Sequence, residues 1–268
     1  MNVSSPDRTL TNRLVMAVTW RFRTQSIRSE TFPRISRAPR EPRGRLEKIA
    51  AGPLALPFEK AWHYLEIYDE IFELLRARKG DAPIGVIELG VRDGGSLILW
   101  SRFFGESATV FGIDINPECA NHKVGPASIR IGSQTDSHFL TQVVGEMGGV
   151  DVVIDDGSHR ARDTLASLEI LFPLLNDGGI YVIEDLRTSY WPEFGGGVGR
   201  RRTPVGFIRQ LIDGLHFDYF EVRGVAPQAL WASMASEITS ISIYNSMAVL
   251  RKGKAPRLER FSNQGLFT

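Results

Sequence analysis

The chain has 268 residues, 43% of them apolar and 24% charged, which is enough apolar material for a sizeable core and excludes a disordered or low-complexity class. A single cysteine, Cys119, excludes an internal disulfide framework and any multi-cysteine zinc site, and points to a reducing, cytoplasmic setting. The net charge of +1 hides an asymmetry: residues 1–50 carry ten Arg and one Lys against four acids, so that stretch is +7 and the remainder −6.

Residues 1–57 are expected to form a basic, Pro- and Arg-rich arm, packed on a neighbouring subunit or touching an anionic surface, ahead of one domain over 58–268. Leu14 to Val18 is too short an apolar run for a secretory signal, and no run is long enough to span a bilayer. Arg200-Arg201-Arg202 comes with no recognition motif, so nothing points to nucleic acid.

From Phe58 to Arg78 the apolar residues Trp62, Leu65, Ile67, Tyr68, Ile71, Phe72 and Leu75 recur at helical spacing, and Lys79-Gly80 supplies a stop. Strands and helices then alternate. Strands are predicted at 84–89, 109–114, 128–131, 150–155 and 179–184, with helices at 96–104, 136–147 and 161–175. A Gly-rich loop, a helix over 204–214, a strand at Tyr219 to Val222 and a hairpin around Asn245-Ser246 complete the chain. This pattern is an α/β, doubly wound, mostly parallel sheet of seven strands with an antiparallel C-terminal hairpin.

In such sheets ligands bind beyond the carboxyl ends of the strands, and that is where the chemistry-bearing residues fall. The first strand-to-helix turn, Glu88-Leu89-Gly90-Val91-Arg92-Asp93-Gly94-Gly95-Ser96, departs from the dinucleotide fingerprint Gly-x-Gly-x-x-Gly, which argues against a NAD-dependent dehydrogenase. An acid two positions before Gly90 suits a cationic amine, as in S-adenosylmethionine (SAM). Gly90, Gly94 and Ser96 would let the backbone approach that ligand. Asp114, with Asn116 nearby, ends the second strand and suits ribose hydroxyls, while Gln134 and Asp136 follow the third and suit adenine.

Two acidic segments mark the next strand ends: Asp155-Asp156-Gly157-Ser158-His159, and Glu184-Asp185. Their separation accommodates one helix and one strand, so the carboxylates can face each other. Three oxygen donors there suit a hard divalent cation such as Mg²⁺. His159, three residues from a candidate ligand, suits a general base acting on a hydroxyl. Asp155 reads as a cofactor-side or structural carboxylate. Tyr190 and Trp191, leading into a Gly-rich tract, suit a lid whose rings stack on an acceptor.

These segments, together with Lys60-Ala61-Trp62-His63-Tyr64-Leu65-Glu66-Ile67-Tyr68 and Ile183 to Pro192, resemble the metal- and SAM-dependent O-methyltransferases that act on sugars of natural products, a family that includes macrolide sugar and rhamnosyl O-methyltransferases. The likeness covers about Phe58 to Lys252. It implies a class I methyltransferase fold, metal ligands at Asp156, Glu184 and Asp185, the base at His159, Tyr64 walling the cofactor pocket, and a homo-oligomer. The macrolide enzymes carry a longer N-terminal region than the basic arm here, which favours a smaller or more extended glycan, such as a mannoside, a rhamnoside or a glycolipid head group. Two other readings stay open: methylation of a catechol-like or other vicinal diol, and a non-catalytic SAM-binding assembly protein.

Overall fold

A computed structural model describes residues 40–216 and 229–254. Most of the basic arm, the strand predicted at Tyr219 to Val222 and the chain after Lys254 lie outside the described residues.

Helix α1 (Arg45–Ala51) precedes α2 (Trp62–Lys79), and the alternating body follows: β1 (Ile84–Leu89), α3 (Gly95–Phe104), β2 (Ala108–Asp114), β3 (Ser128–Ile131), α4 (Ser137–Met147), β4 (Val150–Asp155), α5 (Ala161–Leu171) and β5 (Leu175–Ile183). Helices α6 (Pro204–Leu215) and α7 (Ala229–Ser236) lead to the hairpin β6 (Ile238–Tyr244) and β7 (Met247–Lys252). The seven strands run β3-β2-β1-β4-β5-β7-β6. The first five are parallel and β7 pairs antiparallel with β5, so the hairpin closes one edge as expected.

Period-two alternation builds two apolar layers. Val86, Val152, Ile154, Ile180 and Val182 face the layer holding α2 and α3, whereas Ile87, Leu89, Val153, Tyr181 and Ile183 face the layer holding α4, α5 and α6. Both faces are thus covered, as a parallel sheet requires. In the first layer the buried rings of Tyr68, Phe72, Trp100, Phe103 and Phe104 stack at centroid distances of 4.9–5.8 Å.

The compact unit begins at Arg40, not at Phe58. Asp69 on α2 accepts hydrogen bonds from the Leu46 and Glu47 N–H groups and so caps α1 from outside, while Glu47 is buried and bridged to Arg40. These contacts fasten residues 40–51 to α2. The next segment lies against α3: a Cβ on Gly95 would overlap the Pro57 carbonyl oxygen.

Candidate active site

Backbone hydrogen bonds carry the sheet ladder one residue past the strand ends: Gly90 N–H to Ile113, Asp156 N–H to Leu89 and Glu184 N–H to Asp155. They bring Gly90, Asp156 and Glu184 side by side at one edge. Gly90 has φ +90°, and a Cβ there would overlap the Asp156 carbonyl oxygen, so only glycine lets these two turns meet.

At the centre of the acidic residues lies Lys60, just before α2 and only 2% exposed. Its Nζ is 2.6 Å from Asp156 Oδ2, 2.8 Å from Glu184 Oε1 and 3.0 Å from Glu88 Oε1. Burial opposes the ammonium charge, yet Asp156, Glu184 and Glu88 outweigh it and hold its pKa well above the usual lysine range. Burial and the neighbouring Asp156 charge push Glu184 up to about 8, against the pull of Lys60. The sequence reading left Lys60 without a role; its one signal was membership in the Lys60-to-Tyr68 motif.

Two tyrosines one turn apart on α2 brace the acids from behind. Tyr68 donates to Glu184 Oε1 at 2.6 Å, and Tyr64 donates to Asp185 Oδ1 at 3.2 Å and to the Ser246 carbonyl at 2.9 Å. Burial, followed by the charge of the carboxylate each one touches, raises both phenol pKa values, so both stay protonated donors. Tyr64 is 1% exposed, and its hydroxyl orients Asp185. Arg187 grips both oxygens of Asp185, at 2.6 and 3.0 Å.

His159 Nε2 stands 3.8 Å from both Asp156 Oδ1 and Asp185 Oδ2. His159 (φ +56°) and Asp185 (φ +51°) are both in the left-handed region, which costs an L-residue roughly 1–2 kcal/mol. Such strain concentrates where geometry serves function.

The metal expectation is refined accordingly. Among the described residues, no three His, Cys, Asp or Glu side chains form a ready-made metal cage. Lys60 lies between Asp156 and Glu184, and Arg187 holds Asp185. The donor chemistry nevertheless fits a hard divalent ion. Asp156 Oδ1 and Glu184 Oε2 accept no hydrogen bond among the described residues. Four carboxylates, Glu88, Asp156, Glu184 and Asp185, meet two resident cations, Lys60 and Arg187, so when all are ionised two negative charges are left over.

On the cofactor side, Glu88 is fully buried: it accepts a hydrogen bond from Ser96 Oγ at 2.6 Å, and its Oε1 is ion-paired with Lys60 Nζ at 3.0 Å. Ser96 therefore acts on Glu88. The Asp114 carboxylate accepts from the N–H groups of Val91, Arg92 and Asn116; burial opposes its charge, but those donors hold its pKa below the usual range. Its remaining lone pairs suit hydroxyl donors. Asn116 caps the 3₁₀ turn at Glu118, Gly94 adopts φ +81° at the start of α3, and Asp136 caps α4 by accepting from Phe139 N–H. Gln134 accepts from Ser158 N–H at 2.8 Å and so ties its loop to the Asp156 turn.

Asp155 faces away from this cluster. Strand alternation puts it on the α5 side, 2% exposed, where Ser167 and Tyr181 hydroxyls donate to it and burial pushes its pKa up to about 6. Of its two readings, cofactor-side and structural, these contacts support the structural one.

On the acceptor side Tyr190 is exposed and Trp191 partly so; the Trp191 and Phe194 rings are 5.9 Å apart, with Phe194 6.5 Å from His159. Phe194 is thus an aromatic neighbour of the candidate base that composition alone did not single out. The Gly-rich tract is a folded turn, not a loose flap: Gly196 N–H donates to Trp191 and Gly197 N–H to Ser189.

This doubly wound sheet has the class I methyltransferase fold, and residues 87–186 match the family model described as a methyltransferase domain. Within that class the chain is similar to sugar-modifying enzymes. It is 36% identical over 207 residues to an 8-demethyl-8-(2-methoxy-alpha-L-rhamnosyl)-tetracenomycin-C 3'-O-methyltransferase of Streptomyces olivaceus, covering 72% of this chain and 50% of the relative. It is 32% identical over 197 residues to the demethylmacrocin O-methyltransferase of Streptomyces fradiae, covering 69% of this chain and 47% of the relative. Among solved structures, the MycE methyltransferase of the mycinamycin biosynthetic pathway, in complex with Mg, SAH and mycinamycin VI, matches with a TM-score of 0.62 at 30% identity, covering 74% of this chain and 50% of that one. The chain spans about half the length of the curated relatives it matches.

Proposed function

We infer that this protein transfers a methyl group from SAM to a hydroxyl of a sugar, with a divalent ion held by Asp156, Glu184 and Asp185 and with His159 as the base. The observation that carries the reading is the position of His159 Nε2, equally 3.8 Å from oxygens of Asp156 and Asp185. The nitrogen therefore stands beside any hydroxyl brought to those two carboxylates. Relatives named as rhamnosyl and macrocin O-methyltransferases support a glycosylated acceptor.

Bound SAM supplies an electrophilic methyl group, and Mg²⁺ supplies charge that lowers the pKa of a nearby hydroxyl. The residues do the rest. Glu88, which Lys60 also contacts, would attract the ammonium end of the donor, and Asp114 would hold its ribose. Tyr64, Tyr68 and Arg187 fix the orientation of Asp185 and Glu184, which costs nothing at the moment of reaction. His159 Nε2 removes the acceptor proton, while Trp191 and Phe194 offer ring faces to the sugar.

The test is incubation with labelled SAM and Mg²⁺ across rhamnosides, mannosides, glycosylated polyketides and catechols, with the methylated position read by NMR. Methylation of a sugar hydroxyl that stops in excess EDTA is expected. Full turnover in EDTA removes the ion from the mechanism, wild-type turnover by His159→Ala removes the base, and exclusive methylation of catechols moves the acceptor to a vicinal aromatic diol.

A further inference from the structure

The feature that the proposed reaction leaves unused is the buried ammonium of Lys60. A lysine this buried would ordinarily pair with a single carboxylate; this one touches Glu88, Asp156 and Glu184 at 2.6–3.0 Å and belongs to none of them alone. It reaches them from a chain segment pinned between α2 and the amino end of α3, so its backbone position is independent of the strand-end turns that carry the acids. Its Nζ also lies 5.8 Å from the Trp100 ring centroid, whose π face adds to the stabilisation of positive charge.

We propose that Lys60 is a positioning residue that serves as the resident cation of the acidic centre. It holds Asp156 and Glu184 together before a divalent ion arrives, and ion binding requires the ammonium to give up its contacts with those two carboxylates while it keeps the one with Glu88. Resting on the methyltransferase reading, this predicts that the protein folds without added metal and that its affinity for Mg²⁺ is set below what the three carboxylates alone would give. A cation already paired with two of the ligands competes with the incoming one and repels it.

The experiment uses the full chain and Mg²⁺ as the only probe, without SAM or acceptor. Lys60→Met keeps the length and packing of the side chain and removes its charge. Calorimetric titration is expected to show at least tenfold tighter Mg²⁺ binding than in the wild type, and thermal melts are expected to show a lower Tm in EDTA with a larger Mg²⁺-induced rise. A merely structural lysine would lower both melts equally and leave the Mg²⁺ affinity unchanged, and that result overturns the proposal. Should Lys60→Met not fold, ¹⁵N-lysine NMR of the wild-type protein decides: the Nζ resonance missing from Lys60→Arg must shift on Mg²⁺ addition, and an unmoved resonance overturns the proposal. Wild-type protein that binds no Mg²⁺ at all, and methylates in EDTA, sinks the metal-dependent reading itself, whereas Mg²⁺-dependent turnover with unchanged affinity in Lys60→Met sinks only the role of Lys60.

Discussion

Replacing Asp155 with Asn separates a structural carboxylate from a cofactor ligand. Asp155 is buried behind β4, and burial lifts its pKa from the ordinary 3.8 to about 6, partly offset by the Ser167 and Tyr181 hydroxyls. A carboxyl whose folded pKa is raised binds its proton more tightly in the native state. Its contribution is therefore fully present below pH 3.8 and is lost as pH rises through about 6. At 1.36 kcal/mol per pKa unit the loss is roughly 3 kcal/mol between pH 4 and pH 7. Asn at this position cannot titrate, so the variant should gain about that much relative to the wild type over the same interval. For a domain of this size the relative gain in Tm is about 6–12 °C. Thermal melts of both proteins at half-unit pH steps measure the difference directly, and SAM affinity by calorimetry should agree within twofold. Parallel pH profiles, or a tenfold loss of SAM affinity in Asp155→Asn, would refute the assignment of Asp155 to the protein interior.

Three further outcomes follow from contacts already described. Asp151 is buried at the opposite end of β4 and accepts from Lys79 Nζ, Gly85 N–H and Asn176 Nδ2, each at 2.9 Å, so Asp151→Ala should cost about 3–5 kcal/mol in urea unfolding while turnover per folded molecule holds. Gly95→Val drives a side chain into the Pro57 carbonyl, and a loss of about 1–3 kcal/mol of stability with weaker SAM binding is expected; an unchanged melt would show that residues 52–61 yield freely. Trp191→Ala removes the ring that stacks near Phe194 and under Arg187, and should raise the acceptor KM about tenfold with SAM affinity intact.

Much of this architecture was legible because strand alternation and helix periodicity are local. The runs Val152 to Ile154 and Ile180 to Ile183 announced central strands, and the acids just past them fell at one edge of the sheet. Alternation also carried information that the motif reading passed over. Asp155 shares its parity with Val153, which fixes it on the α5 side, whereas Asp156 lies beyond the strand and is free to turn toward Lys60. Lys60 itself was not legible as a site residue, since it lies 96 positions before Asp156 and no local pattern encodes a contact of that range. The same holds for Tyr64 and Tyr68. Helical spacing put both on the buried face of α2, but only the assembled fold shows that each hydroxyl ends on a carboxylate. Asp136 and Asn116 carry a local duty that the motif reading did not name: short polar side chains after a strand also cap the next turn, and here each accepts one such bond.

The contact between Gly90 and the Asp156 backbone has a thermodynamic side. In the proposed reaction these two turns serve different halves, one the methyl donor and one the ion, yet they share a surface with no room for a single added methyl group. Neither can shift without being felt by the other. Whatever free energy occupancy of the donor turn lends to ion affinity, ion occupancy must return in equal measure to donor affinity. In the proposed reaction the order in which the two arrive is then a kinetic matter, and the contact at Gly90 is a route through which each can feel the other.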